Sequence, residues 1–160
     1  MDKIIKINFF NKRPFSQKNG FTLLELLLVL ALMAALAVVA APMYLSLQAE
    51  NEMNITTVTI GDILRRAQLK SQAIDSDSAW GVEIKSGTLT IFKGQNFANR
   101  DQTFDENFSL ASTITLSGLT EIIFYPLSGA PNVNGIIKLE HLDGRQSQLS
   151  INGLGIINTP

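Results

Sequence analysis

The hydrophobic positions fall into two regimes along the chain. From 21 to 41 they run almost unbroken (FTLLELLLVLALMAALAVVAA), nineteen apolar side chains interrupted only by Thr22 and Glu25. Leu, Ala and Met dominate, all good helix formers, and at 1.5 Å rise per residue such a helix spans about 30 Å, the hydrocarbon thickness of a bilayer. In lipid a helix is the way a lone segment satisfies its own backbone polar groups. The stretch therefore predicts a single membrane span. A cleaved secretory signal has a shorter apolar region, of about 7 to 15 residues; the Ala35-Leu36-Ala37 triplet keeps that reading open. A buried core helix would need more covering chain than the rest of the sequence supplies.

Past Pro42 the pattern becomes amphipathic. Met53, Ile60, Ala67 and Ile74 recur at seven, with Ile63 and Leu64 in the intermediate turn, so residues 42–75 are expected to continue the helix with one face on a globular head. Residues 54–61 (NITTVTIG) combine β-branched side chains with a glycine, and the helix is expected to weaken or break there. Arg65, Arg66 and Lys70 make a small basic face, read as solvated helix surface rather than a nucleic-acid contact. Asp75-Ser76-Asp77-Ser78 ends the pattern. Its paired carboxylates invite a calcium loop, but the sixth and twelfth positions, which would need Gly and Glu, hold Trp80 and Ser86. A helix-terminating turn is the better reading.

From Trp80 the period changes to two. Trp80, Val82 and Ile84, the turn Lys85-Ser86-Gly87, then Leu89 and Ile91 predict a β-hairpin, with Trp80 anchoring sheet to helix. Residues 93–107 read as a long polar surface loop that could meet a partner. Strands are expected at 108–116, 119–125, 135–141 and 146–151, and Asn152-Gly153 as a two-residue turn into 154–157. Pro126, Gly129 and Pro131 punctuate the middle. Residues 76–160 are thus a β-rich head, and the fold class is α+β: a long N-terminal helix packed on a small antiparallel sheet.

Charge changes this picture more than composition does. The whole chain is near neutral, but residues 1–20 hold five cations (Lys3, Lys6, Lys12, Arg13, Lys18) and one anion, while the remaining residues net −5. A basic leader before an apolar span is a targeting signal, and the positive-inside tendency puts the N-terminus in the cytoplasm and the head on the far side of the membrane. The absence of cysteine removes disulfides, thiolate nucleophiles and Cys-based metal sites. His141 is the lone histidine, expected on an exposed strand near Asp143, so neither a His-rich metal site nor a Ser-His-Asp triad is supported. No phosphate-binding glycine loop is present. The reading is of a chain with no enzyme activity, cofactor or metal.

Glu25 carries the most chemistry. A carboxylate within an apolar span costs several kcal/mol unless it is paired or near the interface. No cation follows it in the span. Its partner would be a neighbouring molecule or a newly made α-amino group; alternatively it sits one turn inside the helix, near the headgroups, where the N-terminal dipole favours an anion.

Lys18-Asn19-Gly20-Phe21-Thr22-Leu23-Leu24-Glu25 resembles the cleavage and methylation motif of type IV prepilins and type II secretion pseudopilins. The resemblance implies a type IV pilin-like fold, cutting between Gly20 and Phe21 by a prepilin peptidase that removes the leader, and N-methylation of Phe21. It also implies that Glu25 neutralises the N-terminal amine of an adjacent subunit during assembly, and that Pro42, placed where many pilin helices carry a proline, permits a kink or melted turn. The expected partners are the prepilin peptidase/methyltransferase, other pilins or pseudopilins in a filament and an inner-membrane assembly platform.

A second resemblance covers roughly the last hundred residues. Ile122-Ile123-Phe124-Tyr125-Pro126, Gly129, Gly135-Ile136-Ile137-Lys138-Leu139 and Leu149-Ser150-Ile151-Asn152-Gly153-Leu154-Gly155 look like the strand and glycine signature of the GspH/FimT minor pseudopilins; residues 66–74 are similar to that group's helix end. DNA-binding members carry a basic C-terminal turn, whereas residues 153–157 hold no cation and residues 42–160 net −4. Nucleic acid is therefore not an expected partner. The resulting expectation is a minor pseudopilin of type II secretion, then a minor type IV pilin, then a signal-anchored surface module that never polymerises.

Overall fold

The computed structural model describes residues 20–73 and 78–159. The predicted leader before Gly20 and the Asp75–Asp77 stretch of the expected helix-ending turn lie outside the described residues. The chain divides into two compact units, residues 1–41 and 42–160. Among the described residues there is one helix, α1 (Leu23–Gln72), with Pro42 inside it. In the first unit the large apolar side chains of α1 are 41–78% exposed, with no core of their own.

The second unit adds eight strands: β1 (Trp80–Lys85), β2 (Thr88–Lys93), β3 (Asp101–Ser109), β4 (Ile114–Gly118), β5 (Glu121–Phe124), β6 (Gly135–His141), β7 (Gln146–Ile151) and β8 (Ile157–Asn158). They form two four-stranded sheets, in the orders β3-β2-β1-β5 and β4-β6-β7-β8. Every pairing is antiparallel. The expected hairpin is present, with Lys85 opposite Thr88 and Gly87 at φ 86°, a left-handed conformation that glycine adopts without steric cost.

Both sheets pack on one face of α1. Met53, Ile60, Ile63, Leu64 and Ala67 meet Trp80, Val82, Leu89, Ile91, Ile122 and Phe124 of the first sheet and Ile137, Leu139, Leu149 and Ile151 of the second in one buried cluster. The seven-residue spacing read from the sequence is this face; Ile74 lies outside the described residues. Trp80 is buried, as expected of an anchor, and Lys70 Nζ stands 4.1 Å from its ring centre. The first sheet is also covered on its other side by Ala79, Phe92, Ile123 and Phe97. That second layer explains Gly81: a Cβ there would come within 2.5 Å of the Phe92 ring and 2.9 Å of the Ile122 carbonyl oxygen.

The C-terminal carbonyls of a helix lack intrahelical donors. In α1 the Ser71 carbonyl accepts from Leu127 N–H at 3.3 Å. The Ser71 hydroxyl donates to Phe124 O at 2.6 Å, and the Gln68 amide donates to Gly129 O and Gly155 O. Two head loops are thereby fastened to the last turns of the helix.

Several expectations are corrected. The helix does not break over residues 54–61, because Thr56 and Thr57 are buried against the head and Ile60 is fully enclosed, so tertiary packing overrides weak propensity. Residues 93–107 are not one long loop. Only 94–100 leave the first sheet, and β3 pairs with β2 through a register shift between Ile91 and Lys93. The strand expected at 108–116 is two pieces, the end of β3 and the start of β4, separated by a turn. Of the strand expected at 119–125, only Glu121–Phe124 pairs. Strands β6 and β7 stand where expected. The turn after β7 is longer than Asn152-Gly153: the Asn152 side-chain oxygen accepts from both Leu154 and Ile156 N–H, so the chain re-enters the sheet only at Ile157.

Candidate functional site

The sequence-derived site begins just ahead of α1. Gly20 and Phe21 are exposed and non-helical, with Phe21 87% exposed, so their peptide bond stands outside helical hydrogen bonding. A Cβ at Gly20 would meet nothing within 4 Å. The fold itself therefore does not demand glycine there; any requirement must come from a molecule that handles the bond. Thr22 caps the helix: its hydroxyl oxygen accepts from Glu25 N–H at 3.2 Å, and its carbonyl accepts from Leu26 N–H. Thr-x-x-Glu is the spacing of a capping box, in which a carboxylate in the first turn also meets the positive end of the helix dipole. Glu25 is exposed, and among the described residues no cation pairs with it. The structure thus places Gly20 and Phe21 directly ahead of the first turn of α1, in which Thr22 and Glu25 are joined. Pro42 lies farther along α1, at the start of the second unit.

Thr22 is the residue whose structural part the sequence reading missed, although the capping-box spacing signals it. The head holds a second polar constellation that the sequence signalled less well. His141, expected on an exposed strand, has a side chain only 10% exposed, with Nδ1 2.8 Å from Asp143 Oδ1 and Nε2 3.6 Å from Glu52 Oε2. The Thr113 hydroxyl donates to Glu52 Oε2 at 2.8 Å. That bond, foremost, holds the Glu52 carboxyl below its usual pKa, with Gln48 and His141 adding to it. Asp143 is likewise held low, chiefly by the Arg145 backbone N–H. Asp143 two residues beyond His141 hinted at their pairing; nothing in the sequence pointed to Glu52, 89 positions away.

The expected basic face is not simply solvated. Arg66 and Lys70 both reach the Glu106 carboxylate, at 2.7 and 2.8 Å, tying α1 to β3, while Arg65 pairs with Asp62 on its own helix.

Among the described residues, one long helix, apolar and then amphipathic, together with antiparallel sheets makes an α+β protein consistent with a type IV pilin-like fold. Residues 15–41 match the family described as prokaryotic N-terminal methylation motif, a match that supports a type IV prepilin-like family. The motif implies processing by a prepilin peptidase and assembly with other pilins; together with the apolar helix it marks a single-pass membrane anchor. No curated protein and no solved structure matches the chain.

Proposed function

We propose that the chain is the precursor of a GspH-like minor pseudopilin of a type II secretion system. In this reading the peptidase cuts between Gly20 and Phe21, Phe21 is N-methylated, and the acidic mature subunit enters a pseudopilus through an inner-membrane platform. The N-terminus is cytoplasmic and the head lies beyond the membrane. The work is structural rather than catalytic: the apolar helix stores the subunit in lipid and later bundles in the filament, while the head meets neighbours or cargo. The observation that carries the reading is the exposed Gly20–Phe21 bond directly ahead of the Thr22-capped, Glu25-bearing turn, inside the segment that matches the methylation motif.

Support for the GspH-like assignment is the strand and glycine pattern at 122–129, 135–139 and 149–155, which coincides with β5, β6, β7 and the turns that fasten α1. Against DNA uptake, Arg66, Lys70, Arg100 and Arg145 are engaged with carboxylates of the head and contribute little to phosphate neutralisation.

Intact-mass analysis of the membrane-extracted protein, with and without the peptidase, tests the processing. Loss of residues 1–20 and gain of a methyl group are expected; retention of residue 1 in cells that process other prepilins sinks the assembly reading. Deletion should block protein secretion. Lost pilus assembly with secretion intact would instead identify a minor type IV pilin.

A further inference from the structure

Between Pro42 and Thr56 the α1 stretch of the second unit buries only Ala49 and Met53. Burial of one methyl group and one thioether chain is a weak apolar hold compared with the enclosed face from Ile60 onward. Polar groups supply the rest. Arg145, in the turn between β6 and β7, donates to Ser46 Oγ and brings NH1 to 3.8 Å from Glu50 Oε2, while its Nε is 3.2 Å from Asp143 Oδ2. His141 stands between Asp143 and Glu52, and Thr113 and Gln48 complete the shell of Glu52. The charged groups facing one another are therefore Glu50 and Glu52 from α1 and Asp143 and Arg145 from the turn, with the His141 imidazole between Glu52 and Asp143. An open groove lined by Leu45, Gln48 and Ala49 runs beside them.

We propose that this cluster is a releasable electrostatic clasp: it fastens residues 45–53 of α1 to the β6–β7 turn, and screening of its charges frees that stretch while the core beneath stays folded. Exposed and half-exposed ion pairs are weak singly and fall with ionic strength, whereas apolar burial does not. The two holds on α1 are thus separable by salt. The clasp stands independently of the secretion assignment, since it concerns residues of the second unit alone.

Hydrogen exchange of the full chain in neutral detergent micelles tests it, read by mass spectrometry at pH 7. Raising salt from about 0.01 M to about 1 M shortens the screening length from roughly 30 Å to 3 Å. Amides of residues 45–53 should then exchange about three- to tenfold faster, with those of residues 60–72 unchanged. The double variant Glu52→Gln/Arg145→Gln should show the faster exchange already at low salt and lose the salt response. Salt-indifferent exchange over 45–53, or loosening of both stretches together, overturns the clasp. If the double variant does not fold, the salt series on the unaltered protein decides.

Discussion

At the scale of single residues, two of the glycines within regular elements, Gly61 and Gly81, make opposite demands. A methyl group at Gly81 meets the buried Phe92 ring and a backbone oxygen, so Gly81→Ala is expected to destabilise the head by about 1–3 kcal/mol, as overpacking does. At Gly61 the nearest atoms, Thr159 Cγ2 at 3.4 Å, Arg65 Nη1 at 3.5 Å and Leu149 Cδ2 at 3.7 Å, leave ordinary contact distance. Gly61→Ala should therefore stabilise the helix by about 0.5–1 kcal/mol through lost unfolded-state freedom. Urea unfolding of both variants checks the pair, and a common sign would contradict the packing described. Glu25 belongs to another class of residue, since its exposed side chain contributes no contact to the described head. Glu25→Ala should insert and lose its leader normally yet assemble poorly; normal incorporation into filaments would remove the charge-pairing role.

At the scale of elements, legibility followed burial. Strands β6 and β7 were readable because Ile137 and Leu139, then Leu149 and Ile151, alternate with exposed neighbours on a sheet buried on one side. Strand β3 was not, because it lies at a sheet edge with most of its side chains exposed, and its polar residues are bound individually: Asp105 by Arg100, Asn107 by Thr90, Glu106 by α1. The helix over Thr56 and Thr57 was misjudged because propensity knows nothing of the sheet that covers it.

The bond from Thr113 to Glu52 makes the attachment of α1 pH-dependent, and Asp143, held by the Arg145 N–H, makes the β6–β7 turn so. Glu52 and Asp143 are held below their usual pKa in the folded chain, so their contribution is complete above the unfolded carboxylate range and is lost as pH falls through the lowered values. Denaturant midpoints should decline on acidification below that ordinary range, and Glu52→Gln should flatten the decline. An unchanged slope in the variant would assign the acid sensitivity elsewhere.

At the scale of the whole molecule, the second unit carries a core made of its own side chains, beginning at Ala49. Ile60→Ala, at the fully enclosed centre of that core, should cost about 2–5 kcal/mol, whereas Leu30→Ala in the first unit should leave head unfolding unchanged in detergent. The division into anchor and head was legible from hydropathy alone. That the head holds two sheets rather than one was not, since pairing partners such as Ile114 and His141 are fixed by three-dimensional closure and no local pattern announces them.

The bare apolar surface of α1 before Pro42 sets the thermodynamics of extraction. Moving its leucines from hydrocarbon into water would cost about 1.5–3 kcal/mol for each side chain fully exposed. Moving them from lipid into a bundle of like helices exchanges one apolar surround for another, so no hydrophobic gradient opposes or drives the step and close packing and pairing of polar groups decide it. With its large apolar side chains 41–78% exposed and unclaimed by the core of the described residues, this helix is suited to such a nearly level transfer, and in the assembly proposed above the carboxylate of Glu25 would give the transfer a direction once a cation is offered to it.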